Sequence, residues 1–546
     1  MKTIKSLVLG SAAGLIAVGG AQAADLPVKA KAVEYVRVCS LYGAGFFYIP
    51  GTDTCIKLGG YMRVDTTFNG SGVQDAPAWS GDTGQHNRYA DYFSTRSRLA
   101  LTVDTRTASE YGVVRTFVQG DFQFDTLGSA TFSPYSINST PPVAGAQLLN
   151  TPGGGYVAVE FAFLQFAGFT FGKSASAYAT PWHGYPGNNN TSYLLGGHDT
   201  VTGVNNIQYT AQFGNGVSGT IGLDDPTVFN RTTVDNLSIP LTATMGTAQA
   251  YGGVRAPDVV GNIRVDQAWG LFQISAAAHD VDASYNILNG SVNPLGGVFG
   301  SAAPAGATGL VGAAPISLSE ISGHPEDKWG GSVMAALQIK NIPTGAGDDI
   351  KIDASYAKGD TKNVIATSSS SPSFAMFGGS NRAYQSIGLG MTTDAVYLPT
   401  MNGGDGSLHL TEAIGVRGAF NHNWDPYWST SLFGSYSAVR YDAAAKAGIC
   451  NSFQGTVIGG AGIAAKAPSA DYSCNPDFNV AQLGAITRWT PVKNLTFSAE
   501  VMWTHLDQNM TGTMTLGPSS SPKPSTTYEF KDQDTVSFNV RAQRNF

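Results

Sequence analysis

The 546-residue sequence is short of charge, of cysteine and of long apolar runs. Asp, Glu, Lys and Arg together make up 13% of it, against about 25% in an ordinary globular chain. The formal net charge is −7, so there is no basic surplus of the kind a nucleic-acid partner requires. Beyond residue 23 no stretch approaches the roughly 20 consecutive apolar residues of a membrane-spanning helix. Mean hydropathy is −0.05, which fits neither a helical membrane protein nor a disordered chain. Only four cysteines occur, Cys39, Cys55, Cys450 and Cys474, and none stands at a zinc-site spacing from a histidine. The eight histidines are scattered, with no serine or carboxylate partner identifiable from spacing. No catalytic constellation, metal set or cofactor motif is therefore expected, and an enzyme built on such a sequence would lack its acid and base.

What is abundant is glycine, 67 residues, with aromatics at 11%. Residues 1–23 have the form of a cleaved export signal: Lys2 and Lys5, an apolar core from Leu7 to Val18, then Ala21-Gln22-Ala23. Export favours disulfides. Of the three pairings, Cys39–Cys55 and Cys450–Cys474 are preferred because each closes a short local loop. The chain then divides into residues 24–55, an N-terminal segment with a disulfide loop, and residues 56–546, one large β domain.

The closing stretch, Thr535–Phe546, sets the pattern for that domain. Val536, Phe538, Val540, Ala542 and Phe546 share one parity, interrupted by Arg544; Ser537, Asn539, Arg541 and Gln543 share the other. Such alternation makes a strand with one apolar and one polar face. Sixteen strands of this kind can be read. The connections after odd-numbered strands are long, at about 69–93, 125–155, 174–203, 224–258, 280–328, 358–408, 442–477 and 507–534; those after even-numbered strands are a few residues. Sorting by parity is what a transmembrane barrel shows, with long extracellular loops and short periplasmic turns. Trp269, Trp329, Trp428, Trp489, Trp503 and Phe546 fall near strand ends, where an interfacial girdle would lie.

The fold class expected is thus all-β, a sixteen-stranded antiparallel transmembrane barrel. Residues 383–397 also have strand character, and a hairpin there would raise the count to eighteen. The loops at 280–328 and 358–408, rich in Ser, Gly and Ala, read as flexible surface segments. Phase is ambiguous in the fourth strand, where Glu160 and Gln165 sit on opposite parities. Arg63, Arg96, Arg98 and Arg115 lie opposite the apolar parity, with Asp65, Asp104 and Asp121 on the same strands. A ring of sixteen strands is too wide to be packed solid, so these side chains are expected to line an aqueous lumen.

Several stretches carry a family resemblance: Tyr35–Cys39 with Gly43–Cys55, the following Ile56–Tyr61, Asp266–Gly270, Cys474–Asp477 and Pro491–Thr496. These are similar to the outer-membrane general porins of alphaproteobacteria, the trimeric rhizobial and Brucella type. The resemblance implies a homotrimer in the outer membrane, in contact with lipid and lipopolysaccharide, passing small hydrophilic solutes and ions by diffusion. A substrate-selective channel with a specific lumen site is the alternative. It also implies that the third long loop folds inward as a constriction, bringing Tyr178, Trp182, His183, Tyr185, Tyr193, His198 and Asp199 into the lumen. That loop offers Asp199 as its one carboxylate, facing four wall arginines. Phe546 resembles the terminal signal read by the barrel assembly machinery.

Overall fold

The computed structural model describes residues 37–69, 86, 92–125, 135–136, 143–144, 155–198, 201–227, 231–237, 241, 250–285, 292–293, 297–298, 323–365, 373–400, 403–454, 468–516 and 523–546. Sixteen strands close on themselves, every neighbour antiparallel. They are β1 (Cys55–Phe68), β2 (Phe93–Ser109), β3 (Gly112–Asp125), β4 (Tyr156–Phe166), β5 (Phe169–Ser174), β6 (Val204–Gly214), β7 (Val217–Asp224) and β8 (Asp258–Gln267). The other half is β9 (Gly270–Val281), β10 (Lys328–Lys340), β11 (Asp349–Lys358), β12 (Glu412–Asn423), β13 (Trp428–Arg440), β14 (Phe478–Val492), β15 (Leu495–Gln508) and β16 (Gln533–Asn545). The seam joins β1 to β16 over Tyr61↔Asn545 to Phe68↔Phe538. Gly60 and Phe546 then exchange backbone hydrogen bonds of 3.2 and 3.0 Å. Closure leaves no unpaired edge, which is how a sheet satisfies its backbone in lipid.

The alternation read from the sequence becomes the inside and outside of the barrel. Val64, Leu101, Phe122, Ile221, Ile263, Ile274, Ile352, Leu432, Leu483, Val501 and Phe538 are exposed large hydrophobics, while Arg96, Asp121, Gln273, Asp353, Arg417 and Gln482 are buried. That inverts a soluble protein. A continuous outward apolar band is stable only against hydrocarbon. Trp269, Trp329, Trp428, Trp489, Trp503 and Phe546 are all exposed.

One further short strand, Phe47–Tyr48, pairs with Cys55 and Ile56 of β1. It belongs to the N-terminal segment, whose Cys39–Cys55 disulfide (S–S 2.03 Å) packs with Phe46. Arg106, near the short-turn end of β2, lies over the Phe46 ring at 4.8 Å.

The other end differs from expectation. Residues 385–390 and 393–397 are strands, but neither enters the barrel, so the count stays at sixteen. Gln385–Gly390 joins Phe374–Gly378, Thr513–Leu516 and Thr526–Phe530 in a four-stranded sheet, and Thr393–Tyr397 joins Thr233–Asn236 and Leu408–Leu410 in a three-stranded one. His409 and Leu410, which follow the connection read as 358–408 and so open the twelfth strand in the sequence reading, are part of this superstructure, and β12 begins at Glu412. A helix, α1 (Ala443–Phe453), starts at Asp442, whose side chain accepts from the Ala445 N–H at 2.8 Å. The Cys450–Cys474 disulfide (S–S 2.01 Å) ties it down. Phe374, Ile387, Leu389, Ile449, Phe453, Met514 and Tyr528 share one buried apolar cluster. The segment 358–408, expected to be flexible surface, thus contributes to a cap with its own core. Most of 280–328 lies outside the described residues.

Candidate functional site

The third long loop leaves β5 at Ser174 and crosses the interior. Its first limb lies along β8 and β9, where Asn262 donates to the Ala177 carbonyl (2.6 Å) and Gln273 to the Ala179 carbonyl (2.7 Å). Tyr178 and Trp182 pack there against Val260, Met334 and Ala336. Burial in that contact pushes the Tyr178 phenol pKa up. Tyr185 sits with Ala419, Phe433, Ile486 and Met502 on the opposite wall.

The tip is polar and meets a polar wall. The Asn189 N–H donates to Glu500 at 2.7 Å, and its side-chain amide donates to Asn539 at 3.1 Å. Arg541 donates to Asn189, Asn190 and Thr191 at 3.0, 3.1 and 3.0 Å, and Arg63 donates to Asn190 at 3.3 Å. The return limb runs over β14 and β12. Gln482 accepts from the Leu195 N–H (2.7 Å) and donates to the Tyr193 carbonyl (3.1 Å). Arg417 donates to the His198 carbonyl (2.9 Å) while its Nε binds Asp353 at 3.0 and 3.2 Å.

Gly196 and Gly197 permit that approach. Gly196 has φ +100°, and a Cβ on Gly197 would stand 2.3 Å from Asp353 Oδ1. His198 pairs its Nδ1 with Asn363 of the cap at 2.7 Å. Burial lowers its pKa to about 4, with Lys362 and Arg417 acting in the same direction. Tyr193 and Leu195 belong to the same apolar cluster as the cap core. Loop and cap are one packed body.

The sequence-derived wall residues come together on β1–β3, where Arg63 meets the loop at Asn190 and the other three are paired with carboxylates. Arg96 and Arg541 both pair with Asp65, at 2.7 and 2.5 Å. Arg98 pairs with Asp121 (2.7 Å) and Glu160 (3.3 Å). Arg115 and Arg106 share Asp104, at 3.0 and 2.9 Å. Buried or half-buried cations in a wall are stable only when paired, and strand neighbours supply the carboxylates. Asp199 lies outside the described residues. His183 is exposed at the loop surface.

Sequence reasoning missed Glu160 and the neighbouring phenylalanines because of a bulge. Gln119 pairs with Phe161 and Gly120 with Val159, so Glu160 is the extra residue. A bulge of this kind shifts the alternation by one. Glu160, Phe161, Phe163 and Gln165 consequently all face inward, which resolves the mixed parity of that strand. It also missed Arg417–Asp353 and Glu500, since nothing in single strands marks which inward polar residues a distant loop will meet.

A cavity of about 560 Å³ remains beside the first limb, lined by Thr180, His183, Thr210, Ser218, Arg264 and Asp266 among others. The loop thus leaves open space beside its first limb rather than filling the interior.

A family model described as the porin subfamily matches residues 25–539. The chain is 35% identical to Porin Omp2b of Brucella canis over 269 residues, 49% of this chain. That alignment spans 63% of the relative's length. It is 31% identical to Porin Omp2b of Brucella neotomae over 388 residues, covering 66% of this chain and 95% of that one. Among solved structures, the outer membrane channel DcaP of Acinetobacter baumannii superposes with a TM-score of 0.53 at 14% identity, over 91% of this chain and 99% of that one. At that identity the likeness concerns the fold.

Proposed function

Because the chain belongs to the porin subfamily, we propose that it forms a water-filled channel through which small hydrophilic solutes and ions diffuse passively across the bacterial outer membrane. The observation that carries this reading is the inserted loop: it is hydrogen-bonded to several sectors of the wall, yet leaves a polar cavity beside it. Residues 1–23 act as the export signal, the long loops and cap face outward, and the short turns face the periplasm. No step of this function needs a catalytic residue or cofactor.

Three partners belong to the same reading: two further copies in a homotrimer, lipid with lipopolysaccharide around the apolar band, and the assembly machinery acting on the strand that ends in Phe546. The inner wall sets the selectivity. Arg96 and Arg541 surround Asp65, with Arg63 on the same strand as Asp65, and Arg106 and Arg115 surround Asp104, against one arginine for Asp121 and Glu160. Rings of side-chain charge set local potential whatever the sign of the whole chain, so a weak anion preference is expected. Single-channel recording in a planar bilayer with a salt gradient tests both parts. Steps in threes, linear in salt, with a reversal potential of anion sign are the expected result. Folded protein that passes no current would refute the channel.

A further inference from the structure

Three phenylalanines face the lumen rather than lipid, and the polar fold around them is not what a purely hydrophilic passage requires. Phe117 pairs with Asp104 on one side and Phe163 on the other, which places both rings on the inward face with that carboxylate. The lipid face of the same two strands is carried by Val118, Phe122, Val159 and Leu164, all exposed. The Phe117 and Phe163 rings stack at 5.3 Å with 29° between planes; Phe161 meets Phe117 edge-on at 6.5 Å. His183 of the inserted loop stands 6.3 Å from the Phe161 ring. None of the three phenylalanines is fully buried, so each keeps apolar surface toward the interior, which costs free energy in water.

Charge accompanies the rings. The Arg115 guanidinium lies 5.3 Å from the Phe117 centroid and 5.6 Å from that of Phe163. Arg115 and Arg106 share Asp104, and among the described residues no other carboxylate is in ion-pair contact with either. Two cations on one anion leave a local positive surplus. Their side chains are 28% and 29% exposed, so a solute can reach them.

We propose that this strip, near the short-turn end of β3 and β4, is a weak binding site for small planar aromatic carboxylates. The solute's ring lies against the phenyl faces and its carboxylate meets Arg115 and Arg106. Aromatic stacking and a charge-assisted hydrogen bond are then satisfied together. Neither an aliphatic carboxylate nor a neutral ring satisfies both. The site rests on the channel reading for its role, but not for its detection.

The test uses the full chain refolded in detergent, with benzoate and acetate as probes. Saturation-transfer NMR reads binding without needing conduction, and salt conductance in a bilayer reads the channel separately. Phe163→Ala is compared with Phe122→Ala, which alters a ring on the lipid face. The expected result is saturable benzoate binding, at least tenfold tighter than acetate, weakened tenfold or more by Phe163→Ala and by Arg115→Gln and unchanged by Phe122→Ala. Salt conductance stays within twofold in Phe122→Ala, and benzoate reduces the parent's current at the concentrations at which it binds. Equal binding of benzoate and acetate, or benzoate binding insensitive to both Phe163→Ala and Arg115→Gln, overturns the site while leaving the channel standing. Folded protein without salt conductance overturns the channel, and the NMR comparison still decides the site.

Discussion

Arg417 and Asp353 are each 0% exposed at the side chain, and the arginine also holds the return limb of the inserted loop through the His198 carbonyl. Replacing Arg417 with Met keeps the approximate length but leaves Asp353 buried without its cation. Removing one partner of a buried pair costs about 3–5 kcal/mol, most of it from the stranded charge. β11 and β12 are held by the barrel ladder, so the strain is relieved locally, by the limb moving away and admitting water to Asp353. A shift of about 3 kcal/mol multiplies the undocked population roughly a hundredfold, since each 1.4 kcal/mol is tenfold. Leu195 is fully buried on that limb, and both native cysteine pairs are oxidised. A Leu195→Cys reporter is therefore the lone thiol, and its maleimide labelling rate tracks the open fraction when closing is fast. Labelling about a hundredfold faster in Arg417→Met is expected. Adding Asp353→Leu removes the stranded carboxylate and returns most of that factor, leaving only the lost bonds to the limb carbonyls. If the double variant labels as fast as Arg417→Met alone, the buried charge is not the cause and the reasoning fails.

Gly197→Ala places a methyl 2.3 Å from Asp353 Oδ1 and 2.8 Å from Arg417 Nε; it is expected to raise the same labelling rate at least tenfold, and an unchanged rate would mean the limb has slack. His198 is held neutral, its pKa lowered to about 4 from an ordinary value near 6.5, so its contribution to docking is complete above pH 6.5 and is lost as pH falls toward 4. Asp360, bonded to the same Asn363, is pushed up to about 7 by burial and acts in the opposite sense; the difference between variants isolates the histidine, so between pH 6.5 and 4 acidification should raise Leu195→Cys labelling less in His198→Gln than in the parent, and an identical pH profile in both would refute the assignment. Reducing Cys450–Cys474, which closes a separation of 24 residues, should destabilise the cap by about 2–4 kcal/mol without opening the barrel. Limited proteolysis within 443–474 with unchanged heat-modifiability is the expected pattern, and loss of the folded band would place the disulfide's role in the barrel instead.

The barrel was legible because its two rules are local. Alternation along a strand and the sorting of loop lengths by parity need no knowledge of partners, and the strand after the connection read as 125–155 does begin at Tyr156. The candidate site was legible only in part. Parity put Arg63, Arg96, Arg98 and Arg115 on the polar face, but the pairing of the last three with Asp65, Asp104, Asp121 and Glu160 depends on strand register. Register follows from closure and turns, not from any one strand. Glu160 and Phe161 were hidden by a single inserted residue. The cap was invisible because its apolar residues, Phe374, Met376, Ile387 and Leu389, are spread among Ser and Gly and find one another only across long connections.

The tip of the inserted loop has a consequence for the order of assembly. Arg63 belongs to the first barrel strand and Arg541 to the last, and both donate to the one Asn190 side-chain oxygen, from either side of the seam. That junction cannot exist until β16 has reached β1. Before then the tip has its partners on β15 and β16, Glu500, Asn539 and Arg541, but not Arg63, and the open sheet has two edges and a solvated interior. Asn190 is thus a check on completion: it accepts from both arginines only in a barrel that has closed in register, and a seam slipped by one residue would set Arg63 and Arg541 on opposite faces and break that shared bond.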